Sequence, residues 1–217
     1  MGVDILYFID HDLPTDTPQI FYEEFKKRVC NTDVILHNVN KSPFRDINIK
    51  KNTWYILYLD GYSEFVLHYE VDNYEFHLEV YKKTVRIDNI DFNKKTAFDY
   101  LRWYHLIAYL KENKLEGRKW LKIPISIYKK YLKTIFHSQK LLLIADSSSY
   151  RHETLYGELI DENNGKSIDD IIELNKSFSP PCKIWKNKDA FGRPESDYWS
   201  NHEHETDAFF IFDLNQY

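Results

Sequence analysis

The chain has 217 residues, 43% apolar and 17% aromatic, with 34 Asp and Glu against 29 Lys and Arg for a net charge of −5 at pH 7. That apolar content excludes a disordered chain and can bury a full core, in one large domain or two small ones. Only 6 glycines leave few for a nucleotide-cradling loop, which argues against phosphate-loop enzymes. Cys30 and Cys182 form no Cys-x-x-Cys pair, so neither a zinc knuckle nor a disulfide framework is indicated, and a reduced, cytoplasmic setting is expected. Met1-Gly2-Val3-Asp4 lacks the flank of a signal peptide, no run approaches the ~18 apolar residues of a membrane span, and Leu6 argues against myristoylation.

In chain order, Val3 to Ile9 is an apolar run closed by Asp10-His11-Asp12, the pattern of a buried strand. Thr17-Pro18 predicts an N-cap with proline at the first helical position, and Phe21, Phe25, Arg28 and Val29 recur at helical spacing. Asp33 to Val39 reads as a second strand. Between Thr53 and Ile90 alternation defines an antiparallel meander: Trp54 to Leu59, an Asp60-Gly61 turn, Tyr62 to Val71, an Asp72-Asn73 turn, then Tyr74 to Val80. Its apolar face includes Trp54, Ile56, Phe65, Leu67, Phe76, Leu78 and Val80.

Phe98 to Leu115 predicts a helix buried on more than one side. After Pro124, the stripe Ile127, Tyr128, Tyr131, Leu132, Ile135 and Phe136 predicts an amphipathic helix with Lys129, Lys130 and Lys133 toward solvent. Leu141 to Ala145 is another buried-strand run, followed by Asp146, three serines and a helix around His152 and Leu155. Ser167-Ile168-Asp169-Asp170 is a capping-box-like helix start. Periodicity is absent from Ser177 to Asp207, a loop long enough to be functional or poorly ordered, and Ala208 to Leu214 reads as a terminal strand. The whole predicts a single α+β domain over 1–217, mixed α/β being the alternative and a sub-boundary falling near 140: a sheet with an antiparallel meander at its centre, packed by two or more helices and completed by a C-terminal strand–helix unit.

Charge is segregated along the chain. Met1 to Asn93 has 10 Lys/Arg against 16 Asp/Glu, Lys94 to Lys140 has 12 against 3, and Leu141 to Tyr217 has 7 against 15. Such blocks set up surface fields that select partners by sign and leave reaction chemistry open.

Three constellations could carry chemistry. In the meander, His68 opposes His77 and Glu70 opposes Glu75, with Glu79 on the same outer face; this imidazole pair could hold Zn²⁺ or sense protons, although polar outer strand faces are common. His202 and His204 form a His-x-His pair that could bind a metal with a third ligand from elsewhere, against the plainer reading of an acidic solvated loop. Asp10, His11 and Asp12, with Asp146, would converge at one sheet edge if their strands were parallel neighbours, which would suit metal-assisted hydrolysis; the plainer reading makes the aspartates turn or cap residues. Ser147 lacks the Gly-x-Ser-x-Gly setting of a nucleophile elbow.

The best expectation is a non-catalytic binding or inhibitory module, similar in character to the small, acidic, motif-free immunity proteins of bacteria, needing no cofactor. Glu195, Asp197, Glu203 and Glu205 beside Tyr198 and Trp199 are the acidic and aromatic mix that anchors a basic protein partner. A metal-assisted hydrolase is the alternative. Nucleic-acid binding through the basic block 94–140, with its interleaved aromatics, is a third option.

Overall fold

A computed structural model of the chain describes residues 5–29, 34–38, 53–58, 65–71, 74–89, 125–126, 128–145, 149–161, 164–186 and 208–216. Through 34–38, 53–58 and much of 65–77, and at 88–89, the description is of the backbone. Nine strands of these residues form one sheet in the order β2-β3-β4-β5-β6-β1-β7-β9-β8. They are β1 (Ile5–Asp10), β2 (Val34–Asn38), β3 (Thr53–Tyr58), β4 (Phe65–Val71), β5 (Tyr74–Val80), β6 (Thr84–Asn89), β7 (Lys140–Ala145), β8 (Lys183–Lys186) and β9 (Ala208–Asp213). Pairing is antiparallel except at the two outermost pairs, β2 with β3 and β8 with β9, which are parallel. The fold is α+β, with the meander β3–β6 forming one flank of the sheet rather than the expected centre, because β1, β7, β9 and β8 all add beyond β6.

Helices follow their sequence signals. In α1 (Pro18–Arg28) the Thr17 side chain accepts from the Ile20 N–H and Pro18 starts the first turn, where its missing donor costs nothing. Phe21 and Phe25 are fully buried and stack on one another, with ring centroids 5.7 Å apart. The Tyr128–Leu132 segment is a π-helical turn, running into α2 (Lys133–Phe136). This replaces the regular helix expected there, but keeps the expected stripe: Tyr128, Leu132, Ile135 and Phe136 are buried. His137 closes it in the left-handed conformation, φ 54°. Ser149 caps α3 (Tyr150–Ile160), and a reciprocal capping box of Ser167 and Asp170 starts α4 (Ile168–Asn175). The expected helix over Phe98–Leu115 lies outside the described residues.

Both faces of the central strands are covered. On one, Phe8, Leu142, Ile144, Phe209 and Ile211 pack with Leu155 and Leu159 of α3 and Ile168 and Ile171 of α4. On the other, Ile9, Leu141, Leu143, Phe210 and Phe212 are at most 1% exposed, and α1 contacts α2. Two strands were not separately legible. β6 extends the meander beyond Val80, and β8 arises in the stretch read as aperiodic, where it adds in parallel to the buried β9. No helix among the described residues is long and apolar enough to cross a membrane.

Candidate functional site

A cleft of about 300 Å³ opens where β1 ends, between Asp10, His11 and Asp12 on one side and His137, Ser138, Gln139 and Lys140 on the other, with Asp169 of α4 at its edge. The antiparallel pairing of β1 with β7 builds it, since it brings the end of one strand beside the beginning of the other. The same pairing corrects an expectation. Ala145, the residue before Asp146, pairs with Ile5 at the opposite end of β1 from Asp10. Parallel strands were required for Asp10, His11 and Asp146 to converge, and these strands are antiparallel; Asp146 itself lies outside the described residues.

Each titratable group at the strand end has a local task. The Asp10 carboxylate accepts from the Ile168 N–H at 2.8 Å, at the first turn of α4, where exposed N–H groups favour an anion. Burial nonetheless pushes its pKa up to about 6, with Asp169 and Asp170 raising it further and the Ile168 bond and Lys140 working the other way. His11 Nδ1 accepts from the Leu13 N–H at 3.1 Å, and Nε2 donates to the Tyr81 carbonyl at 2.8 Å. That assignment makes His11 a neutral imidazole with both nitrogens engaged, leaving neither free for a proton or a metal. Burial pushes its pKa down to about 4. Asp12 pairs with Arg28, and His137 Nδ1 lies 3.8 Å away. Burial works to raise the Asp12 carboxyl, but the Arg28 hydrogen bond and charge, with His137, hold it below the usual carboxylate range.

Ser138, His137, Lys140 and Asp169 were not anticipated in this cleft. The Ser138 hydroxyl accepts from the Asp10 N–H at 3.2 Å and donates to the Lys140 carbonyl at 2.8 Å, while Lys140 pairs with Asp169. The polar run His137-Ser138-Gln139-Lys140, between the apolar stripe that ends at Phe136 and the apolar run that starts at Leu141, was the available signal. His152, near the serine run, is fully buried in α3.

Between β4 and β5 the register is the expected one: His68 pairs with His77 and Glu70 with Glu75. Between β3 and β4 it is not, since a two-residue Asp60-Gly61 turn would set Tyr58 opposite Ser63 and Tyr58 pairs with Phe65, the expected turn itself lying outside the described residues. Glu79 is engaged. It is held by Arg86 at 2.8 Å and by the Tyr81 hydroxyl, and Arg86 also donates to the Tyr156 hydroxyl of α3 at 3.1 Å, so this part of the face is covered rather than outer. Glu195, Asp197, Tyr198, Trp199, His202, Glu203, His204 and Glu205 lie outside the described residues. Among the side chains described, no group of three or more His, Cys, Asp or Glu is arranged to hold a metal ion. No family model, curated protein or solved structure matches this chain.

Proposed function

We propose that this protein is a non-catalytic binding or inhibitory module that captures a basic protein partner through its acidic, aromatic-containing stretch at 187–207. The observation that carries the reading is how charge is used. On the α3–α4 layer, acids meet lysines of the same chain: Asp170 with Lys83, Asp169 with Lys140, Glu158 with Lys166 and Glu173 with Lys176. The sequence from 187 to 207 adds six Asp/Glu against two Lys/Arg, with Tyr198 and Trp199 among them. Such an excess steers a basic partner, and the aromatics supply anchoring area.

The strand-end cluster supports the same reading from the other side. His11 is committed to two backbone groups and Asp10 to the start of α4, so the most enzyme-like residues serve the scaffold. Lys140, the last residue of the basic block, is paired with Asp169, which weakens the nucleic-acid option there.

The test is affinity capture on immobilised, untagged protein, comparing the parent with the quadruple reversal E195K/D197K/E203K/E205K. A basic protein retained by the parent, released by salt and lost by the variant, with both circular dichroism spectra alike, is the expected result. Equal retention by the two would reduce the acidic stretch to a solubility feature.

A further inference from the structure

We propose that His68, His77 and Asp88 form a binding site for a divalent transition-metal ion of the zinc class, on the sheet face that carries α3. The strand register carries it. His68 of β4 is directly opposite His77 of β5, and His77 is directly opposite Asp88 of β6, so the three occupy neighbouring positions in a single row across the sheet. Strands lie ~4.8 Å apart, which places the three positions within ~10 Å of one another. Metal–ligand bonds of ~2 Å and the length of these residue types suit one shared ion over such a row.

The residue types select the ion. Two imidazoles and a carboxylate suit Zn²⁺ and its first-row neighbours, whereas Ca²⁺ and Mg²⁺ prefer oxygen alone. The surroundings favour a cation. Two residues along each strand, on the same face, Glu70 is opposite Glu75, and like charges directly opposed destabilise a sheet. A dication beside them offsets that repulsion. Arg86, two residues from Asp88 along β6, is already paired with Glu79 at 2.8 Å, so its charge is offset. The site is independent of partner capture and of the His202/His204 pair.

The experiment uses untagged, full-length protein stripped with EDTA. Zn²⁺ is titrated by calorimetry and Co²⁺ by its visible ligand-field absorption, for the parent, H68Q/H77Q, D88N and H202Q/H204Q. Expected are one ion per chain in the parent, at least tenfold weaker binding in H68Q/H77Q and D88N, and unchanged binding in H202Q/H204Q. Absence of stoichiometric binding in the parent overturns the proposal, as does binding that persists in H68Q/H77Q or depends on His202 and His204. Where H68Q/H77Q does not fold, the single variants H77N and D88N decide: a Co²⁺ spectrum unaltered in both overturns the site.

Discussion

Asp10 and His11 are adjacent and respond to pH in opposite senses. Asp10 titrates near 3.9 in an unfolded chain and at about 6 in the fold, because burial penalises its charge. The folded state therefore holds this proton more tightly, and the stability from this group falls as pH rises from ~4 to ~6. His11 titrates near 6.5 when unfolded and at about 4 in the fold, also through burial. Here the unfolded state takes the proton first, so stability falls as pH drops from ~6.5 toward ~4. Each response amounts to about 3 kcal/mol over nearly the same window, and together they largely cancel. Asp10→Asn retains an acceptor for the Ile168 N–H while removing one response. The variant should be more stable than the parent above pH 6 and should lose stability on acidification where the parent holds steady, read by urea denaturation at pH 4.5, 5.5 and 7.5. Parallel profiles would sink the account. Asp10 and His11 were visible in the sequence as candidates for chemistry. Their partners were not, because Ile168 is 158 positions from Asp10 and Tyr81 is 70 from His11.

At the scale of elements, β8 shows how a stretch without periodicity becomes a strand. Asn175, the last residue of α4 and 2% exposed, donates to the Cys182 carbonyl at 2.8 Å and accepts from the Cys182 N–H at 2.9 Å. Its side-chain amide thus satisfies both backbone groups of Cys182, next to β8, in a buried setting where an unpaired amide costs free energy. Asn175→Ala should lower the stability by about 2 kcal/mol, the typical penalty for orphaned buried groups. The urea midpoint measures it, and an unchanged midpoint would show that water replaces the amide. Thr17-Pro18 and Ser167-Ile168-Asp169-Asp170 were legible because capping is local chemistry, settled within three residues. The π-helical turn at Tyr128–Leu132 was not, since the stripe Tyr128, Leu132, Ile135, Phe136 fits a regular helix equally well.

Among the described residues, β1, β7 and β9 are enclosed on both faces, with Phe8, Leu142 and Phe209 toward one helical layer and Ile9, Leu141 and Phe210 toward the other side. Local opening is costliest where most apolar area is buried and least at sheet edges. Amide hydrogen exchange should therefore be slowest in β1, β7 and β9 and at least tenfold faster in β2 at the sheet edge; uniform rates across the sheet would contradict this layering. The charge blocks also meet at this scale. Lys83 with Asp170 and Lys140 with Asp169 tie the N-terminal and basic blocks to the acidic C-terminal one. Exposed pairs of this kind contribute little to stability, about 0–1 kcal/mol each, so their larger effect is on the field a partner meets.

Alternation from Trp54 to Val80 was enough to determine the strands of the meander and which of their residues share a face, and a two-residue turn after Val71 was enough to put His68 opposite His77. The β3–β4 register, Tyr58 with Phe65, is two residues away from the one an Asp60-Gly61 turn dictates, a shift that keeps the faces and that alternation alone does not exclude. Apolar runs at Val3–Ile9, Leu141–Ala145 and Ala208–Leu214 likewise determined that those strands would be buried. Which of them would be neighbours, and in which direction, is a matter of long-range packing that no local pattern encodes. Tertiary structure alone decided that β1 runs antiparallel to β7, and with it that Asp10 faces the start of α4 rather than the end of β7.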